Sequence, residues 1–86
     1  MTESEYLEKL NQVDFDLSFL RKRLRTLDFN IAAADMEKKI SEVNKLRRYR
    51  KQHERYITYA KSYRKDLNSQ YQEMLKGARN GSGSQG

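Results

Sequence analysis

Apolar residues recur along the first third of the chain at Tyr6, Leu10, Val13, Leu17, Leu20, Leu24 and Leu27, in steps of 4, 3, 4, 3, 4 and 3. This is an unbroken heptad rhythm, the period at which one face of an α-helix meets a partner helix. Ahead of it, Thr2 and Glu5 have the spacing of a capping box, in which a hydroxyl and a carboxylate each satisfy a free backbone N–H group. Together these features predict a first helix over 3–27. Its acidic start and the basic "RKRLR" at 21–25 suit the helix dipole.

The stretch "LDFN" at 27–30 predicts a turn at 28–30, because Asp28 or Asn30 can cap a second helix with its short side chain. From Ile31 to Lys76 nothing interrupts helix: proline is absent and all four glycines lie at Gly77 or beyond. Gly77 then suits the residue just past the helix end, and 77–86 reads as a flexible Gly/Ser tail. No apolar/polar alternation persists, so strands are not expected. The fold class is all-α, an antiparallel helical hairpin or coiled coil with a long second helix in one domain over 1–76. A break near Gln52 or His53 would give a three-helix bundle instead. A helix over 31–76 would be roughly 70 Å long, at about 1.5 Å per residue, and a first helix ending at 27 would cover only about half of it. The uncovered half then calls for a second chain, and a homodimer is expected.

Within that half, setting Leu46 at heptad position a puts Leu46, His53, Ala60, Leu67 and Met74 at a, and Tyr49, Tyr56 and Tyr63 at d. These eight form the expected oligomer seam, with Gln70 as its polar d position and Tyr59 and Tyr71 flanking it. Tyrosines among arginines can also stack on bases or cations, but their seven-residue recurrence favours packing. Upstream, Met36, Ile40 and Val43 continue the stripe into a stammer. Phe15 and Phe19, four residues apart, lie opposite the leucine seam of the first helix. They are expected to be covered, by another helix of a bundle or by a partner docking on them.

Composition narrows the partner. The chain is 35% charged and 36% hydrophobic with a net charge of +6, too polar for a core on all sides and drawn towards anions. Residues 1–20 hold Glu3, Glu5, Glu8, Asp14 and Asp16 against Lys9 alone. Residues 45–65 invert this, with nine arginines and lysines against Glu54. Six of those cations, Arg47, Arg48, Lys51, Arg55, Lys61 and Lys65, fall on outward heptad positions, and a neutral solvated helix would mix signs. They are the candidate contacts to nucleic-acid phosphates, made with little sequence preference. The alternative partner is an acidic protein surface, met by a scaffold or adaptor.

Catalytic patterns are missing. There is no cysteine, His53 is the lone histidine without carboxylates at ligand spacing, and no glycine before position 77 allows a phosphate loop. Asp14 and Asp16, two apart, do not share a helix face. Neither an enzyme, a metal, a cofactor nor a small-molecule substrate is expected. The basic run overlaps the heptads instead of preceding them, unlike a basic leucine zipper, and no helix-turn-helix or zinc-finger signature occurs. No apolar run suffices for a membrane span, and the N-terminus is acidic, so a soluble intracellular protein is expected, cytoplasmic or in the nucleoid or nucleus. The functional expectation is a non-enzymatic coiled-coil assembly module, homodimeric, with a basic helix face for an acidic partner.

Overall fold

Two heptad stripes on one chain can bury each other only if the chain reverses between them. In the computed structural model it does so once: α1 (Glu3–Met36) and α2 (Ile40–Gln85) form an antiparallel hairpin. The structure describes the backbone of residues 1–85 and the side chains of residues 1–77. The hairpin is a rod of 72 × 16 × 13 Å with a radius of gyration of 20.1 Å, where a compact chain of this length would have about 12 Å. A rod two helices thick has no interior. Among the described residues, seven side chains, Tyr6, Val13, Leu17, Ala34, Val43, Ile57 and Leu67, are buried at its seam.

α1 begins as expected. The Thr2 hydroxyl accepts from the Glu5 N–H at 3.1 Å, one half of the capping box. The expected turn at 28–30 does not form, and α1 continues through Met36. Asp28 is engaged sideways by Arg50 at 2.6 Å, so its carboxylate does not cap a helix. Ile31 and Ala34 extend the leucine stripe with the same steps of 4 and 3, and the run "AAA" at 32–34 has the highest helix propensity of any residue type. The "RKRLR" segment is therefore mid-helix and gains nothing from the dipole, as the last turn of α1 contains no basic residue.

The reversal falls instead at Glu37, Lys38 and Lys39. The Lys39 N–H donates to the Ala34 carbonyl at 2.9 Å and the Lys38 N–H to that of Asp35 at 3.0 Å. Lys38 between them has φ 58°, in the left-handed region. This is a Schellman termination with lysine where glycine is usual. Phase explains why a turn forms without glycine or proline. Val43, the first seam residue of α2, is nine residues beyond Ala34, about two and a half helical turns. One unbroken helix would put the two stripes on opposite faces, where neither could cover the other. Met36 and Ile40, expected to continue the stripe, flank the turn and are 85% and 73% exposed.

The seam of α2 is rotated by one residue from the expected one. Val43, Leu46, Arg50, His53, Ile57, Ala60, Arg64, Leu67, Tyr71 and Met74 follow in steps of 3 and 4, and all but Arg64 are buried or half-buried. The positions assigned to a hold; the second row is Arg50, Ile57, Arg64 and Tyr71, and the tyrosines next to it are outside. At the end remote from the turn, Tyr6, Val13 and Leu67 form the largest apolar cluster, joined by Leu10, Ala60 and Tyr71. The Tyr6 and Tyr71 rings stack at 4.1 Å, and the Tyr6 hydroxyl donates to Asn68 Oδ1 at 3.2 Å.

Two ion pairs cross the seam, Asp14–Arg64 at 2.7 Å and Asp28–Arg50 at 2.6 Å. Half-exposed pairs of this kind add little to stability, because solvent screens them. They matter for register. Each pair lies two heptads from the other on both helices, and Arg21 sits midway between Asp14 and Asp28. Sliding either helix by one heptad brings one of the two arginines opposite Arg21, and that repulsion disfavours both slipped pairings.

The alternative three-helix bundle is not adopted, since α2 passes through Gln52 and His53 without a break. Gly77 lies inside α2 with no left-handed φ, so it does not terminate the helix there. The rest of the tail expected over 77–86 lies outside the residues whose side chains are described.

Candidate functional site

Rotating the seam by one residue redistributes every group on the surface of α2. The six cations assigned to an anionic partner occupy three consecutive heptad rows. Arg47 and Lys61 flank the seam, Lys51 and Lys65 lie further round, and Arg48 and Arg55 lie at the back. All six are exposed. Among the described residues none of them is in an ion pair. Of the three cations of residues 45–65 left out of that set, Arg50 and Arg64 face the seam and are paired with acids, and Lys45 lies beside Tyr49. Arg50 also meets Glu54, the only acid of residues 45–65, so the pairing that could dilute the surface charge is spent beside the seam. Both guanidinium groups are pushed above the ordinary arginine range, first by their hydrogen bonds to Asp28 and Asp14.

The opposite flank carries the tyrosines. Tyr49, Tyr56 and Tyr63 are 44%, 46% and 47% exposed, half in contact with the hairpin and half in solvent. The ammonium of Lys45 lies 6.0 Å from the Tyr49 ring centre, and Gln52 Nε2 donates to the Tyr56 hydroxyl at 3.0 Å. His53 turns its Nδ1 to the Tyr49 carbonyl at 2.8 Å and its ring edge towards Tyr56. Of the eight residues assigned to an oligomer seam, Leu46, His53, Ala60, Leu67 and Met74 face α1 of the same chain, and the three tyrosines do not. Tyr59 is further out still, whereas Tyr71 is in the seam. Phe15 and Phe19 are uncovered at 67% and 54% exposure, and the Arg23 guanidinium lies 5.9 Å from the Phe19 ring centre. Among the described residues, no third helix packs on them.

Arg21 completes the picture and was not legible as a site residue. It lines an open cleft of about 510 Å³ between the helices together with Asp14, Lys61, Arg64 and Lys65. Extending the 3-and-4 rhythm back from Leu67 to Val43 would have found Arg50 and Arg64. Arg21 requires the pairing register itself. Among the described residues, no three of His, Cys, Asp and Glu are grouped to hold a metal ion, and no helix is long and apolar enough to cross a membrane. No protein-family model, curated protein or solved structure matches the chain.

Proposed function

We propose that the hairpin is a non-enzymatic docking module whose basic flank binds the phosphate backbone of nucleic acid with little sequence preference. The observation that carries this reading is the division of the cations of α2. Those in the seam are neutralised by acids, and the six on the basic flank and back have no acidic neighbour in salt-bridge range. From Arg47 to Lys65 they span about 27 Å of helix, a length that tracks a backbone better than it fits a compact ligand. The rod presents them along one exposed flank of a helix, which suits contacts that position a protein without reading bases.

The binding should be steeply salt-dependent. If about four of the six engage phosphates at once, the slope of log K against log salt for duplex DNA should be near −3.6. Arg48→Glu with Lys51→Glu should nearly abolish binding and leave helicity unchanged, since neither residue faces α1. Gel-shift titrations at two salt concentrations, on duplex and single-stranded probes, measure both effects. No complex at low salt with any probe would reject the reading.

A second reading, a protein adaptor, is favoured by Phe15 and Phe19, which α2 leaves uncovered. Self-association rests on the same two residues and on the tyrosine flank. The case for a dimer from an uncovered half of α2 has lost its premise, because α1 runs beside α2 from the turn to Tyr71.

A further inference from the structure

The cleft between Arg21, Lys61 and Lys65 draws its cations from both helices. Four cations, Arg21, Lys61, Arg64 and Lys65, face one carboxylate, Asp14, which is already bound to Arg64 at 2.7 Å. On the tyrosine flank, the groove lined by Lys9, Asp16, Tyr59 and Tyr63 holds one charge of each sign. Near the turn, Glu37 and Glu42 outnumber Lys39. Lys51 and Arg55 line a further groove, from α2 alone; in the Arg21 cleft, unpaired cations from both helices converge on one open volume of about 510 Å³.

We infer that this cleft is a phosphate-binding site, in which Arg21 of α1 and Lys61 and Lys65 of α2 hold one phosphate group across the two helices. A single carboxylate is satisfied by one arginine fork. Three separate cations around an open space instead suit a group with several acceptor oxygens, the guanidinium supplying a paired contact and the ammonium groups point charges. The Asp14–Arg64 pair forms one side of the cleft and removes the carboxylate's repulsion. The choice of phosphate rests on the nucleic-acid reading above; the residues and the cross-helix geometry are new to it. A phosphate on a polymer backbone and a free polyphosphate share this chemistry. Because the site exists only when the hairpin is closed, its ligand must also stabilise the folded state.

The experiment compares the full chain with Arg21→Gln and, as a control on the same helix but outside the cleft, Lys22→Gln. Circular dichroism first confirms that the two variants melt like the parent. Duplex DNA binding is then titrated over salt, and melting is followed with and without inorganic tripolyphosphate. Arg21→Gln should lower the salt slope by about 0.9 and weaken low-salt binding severalfold, with Lys22→Gln showing a smaller change in both. Tripolyphosphate should raise the melting temperature of the parent and of Lys22→Gln more than that of Arg21→Gln. Duplex binding that Arg21→Gln and Lys22→Gln weaken equally overturns the cleft and leaves the nucleic-acid reading intact. Absence of duplex binding, with Arg21-dependent stabilisation by tripolyphosphate, supports the cleft as a phosphate site and overturns the nucleic-acid reading. Failure of both arms overturns both.

Discussion

The two ends of the hairpin are held in different ways. At the end remote from the turn, Tyr6 stacks on Tyr71, and Val13 and Leu67 are buried among Leu10 and Ala60. At the turn, the buried residues are the smaller Ala34 and Val43, the flanking Met36 and Ile40 are in solvent, and Lys38 holds a backbone conformation that suits glycine. The large apolar contacts thus lie where the loop is longest, and the turn itself contributes strain. The difference teaches that the apolar contacts far from the turn, more than the turn's own conformation, hold the hairpin closed.

The strongest way to break that contrast is Leu67→Asp. Leu67 is 2% exposed, and burying an unpaired carboxylate there should cost about 4 kcal/mol or more. Leu17, Ile57, Ala34 and Val43 remain buried along the rest of the seam, so thermal melting followed by circular dichroism should show a large fall in the melting temperature. Retention of the parent's melting temperature would mean that the distant cluster is not what closes the hairpin. At the other end, Lys38→Gly should stabilise by about 1 kcal/mol, since glycine adopts the left-handed conformation without the Cβ penalty and loses part of that gain to chain entropy. Urea denaturation at matched conditions resolves a change of that size, and a destabilised variant would show that Lys38 makes a contact worth more than its strain. The smallest effect is expected at Phe15, away from both ends. With the side chain two-thirds in solvent, Phe15→Ala should change stability by no more than about 0.5 kcal/mol. A loss near 3 kcal/mol, the size of a buried aromatic truncation, accompanied by a fall in sedimentation coefficient, would show that a second molecule covers it. Tyr56→Asp, on the half-exposed tyrosine flank, should stay within about 1 kcal/mol by the same reasoning.

Much of the fold was legible. The leucine stripe of α1, its capping threonine and the lack of breakers before Gly77 required long helices, and a strict heptad stripe required a facing helix. The position of the turn is not legible, because Asp28 and Asn30 resemble caps whereas no residue at 37–39 resembles a turn, and the 4-and-3 rhythm continuing to Ile31 and Ala34 outweighs the local preference. The tyrosines were misassigned because Tyr49, Tyr56 and Tyr63 share a seven-residue period with the true row of Arg50, Ile57, Arg64 and Tyr71. Periodicity identifies a row, and two adjacent rows have the same period. Hydrophobicity favoured the tyrosines, since two of the four true positions are arginines.

The sequence by itself determined that the chain is helical, that its seams run in heptads, and that positive charge concentrates in residues 45–65. These follow from local propensity and from spacing along one chain, and they need no partner to be read. Only the tertiary structure decided which row of α2 faces α1, because that depends on what lies opposite: Asp14 and Asp28 make Arg64 and Arg50 acceptable at a seam that would otherwise exclude them. The pairing register likewise placed Arg21 beside Lys61 and Lys65, residues 40 and 44 positions away in the chain. Proximity across a hairpin is set by the sum of all seam contacts, and no local stretch of sequence contains it.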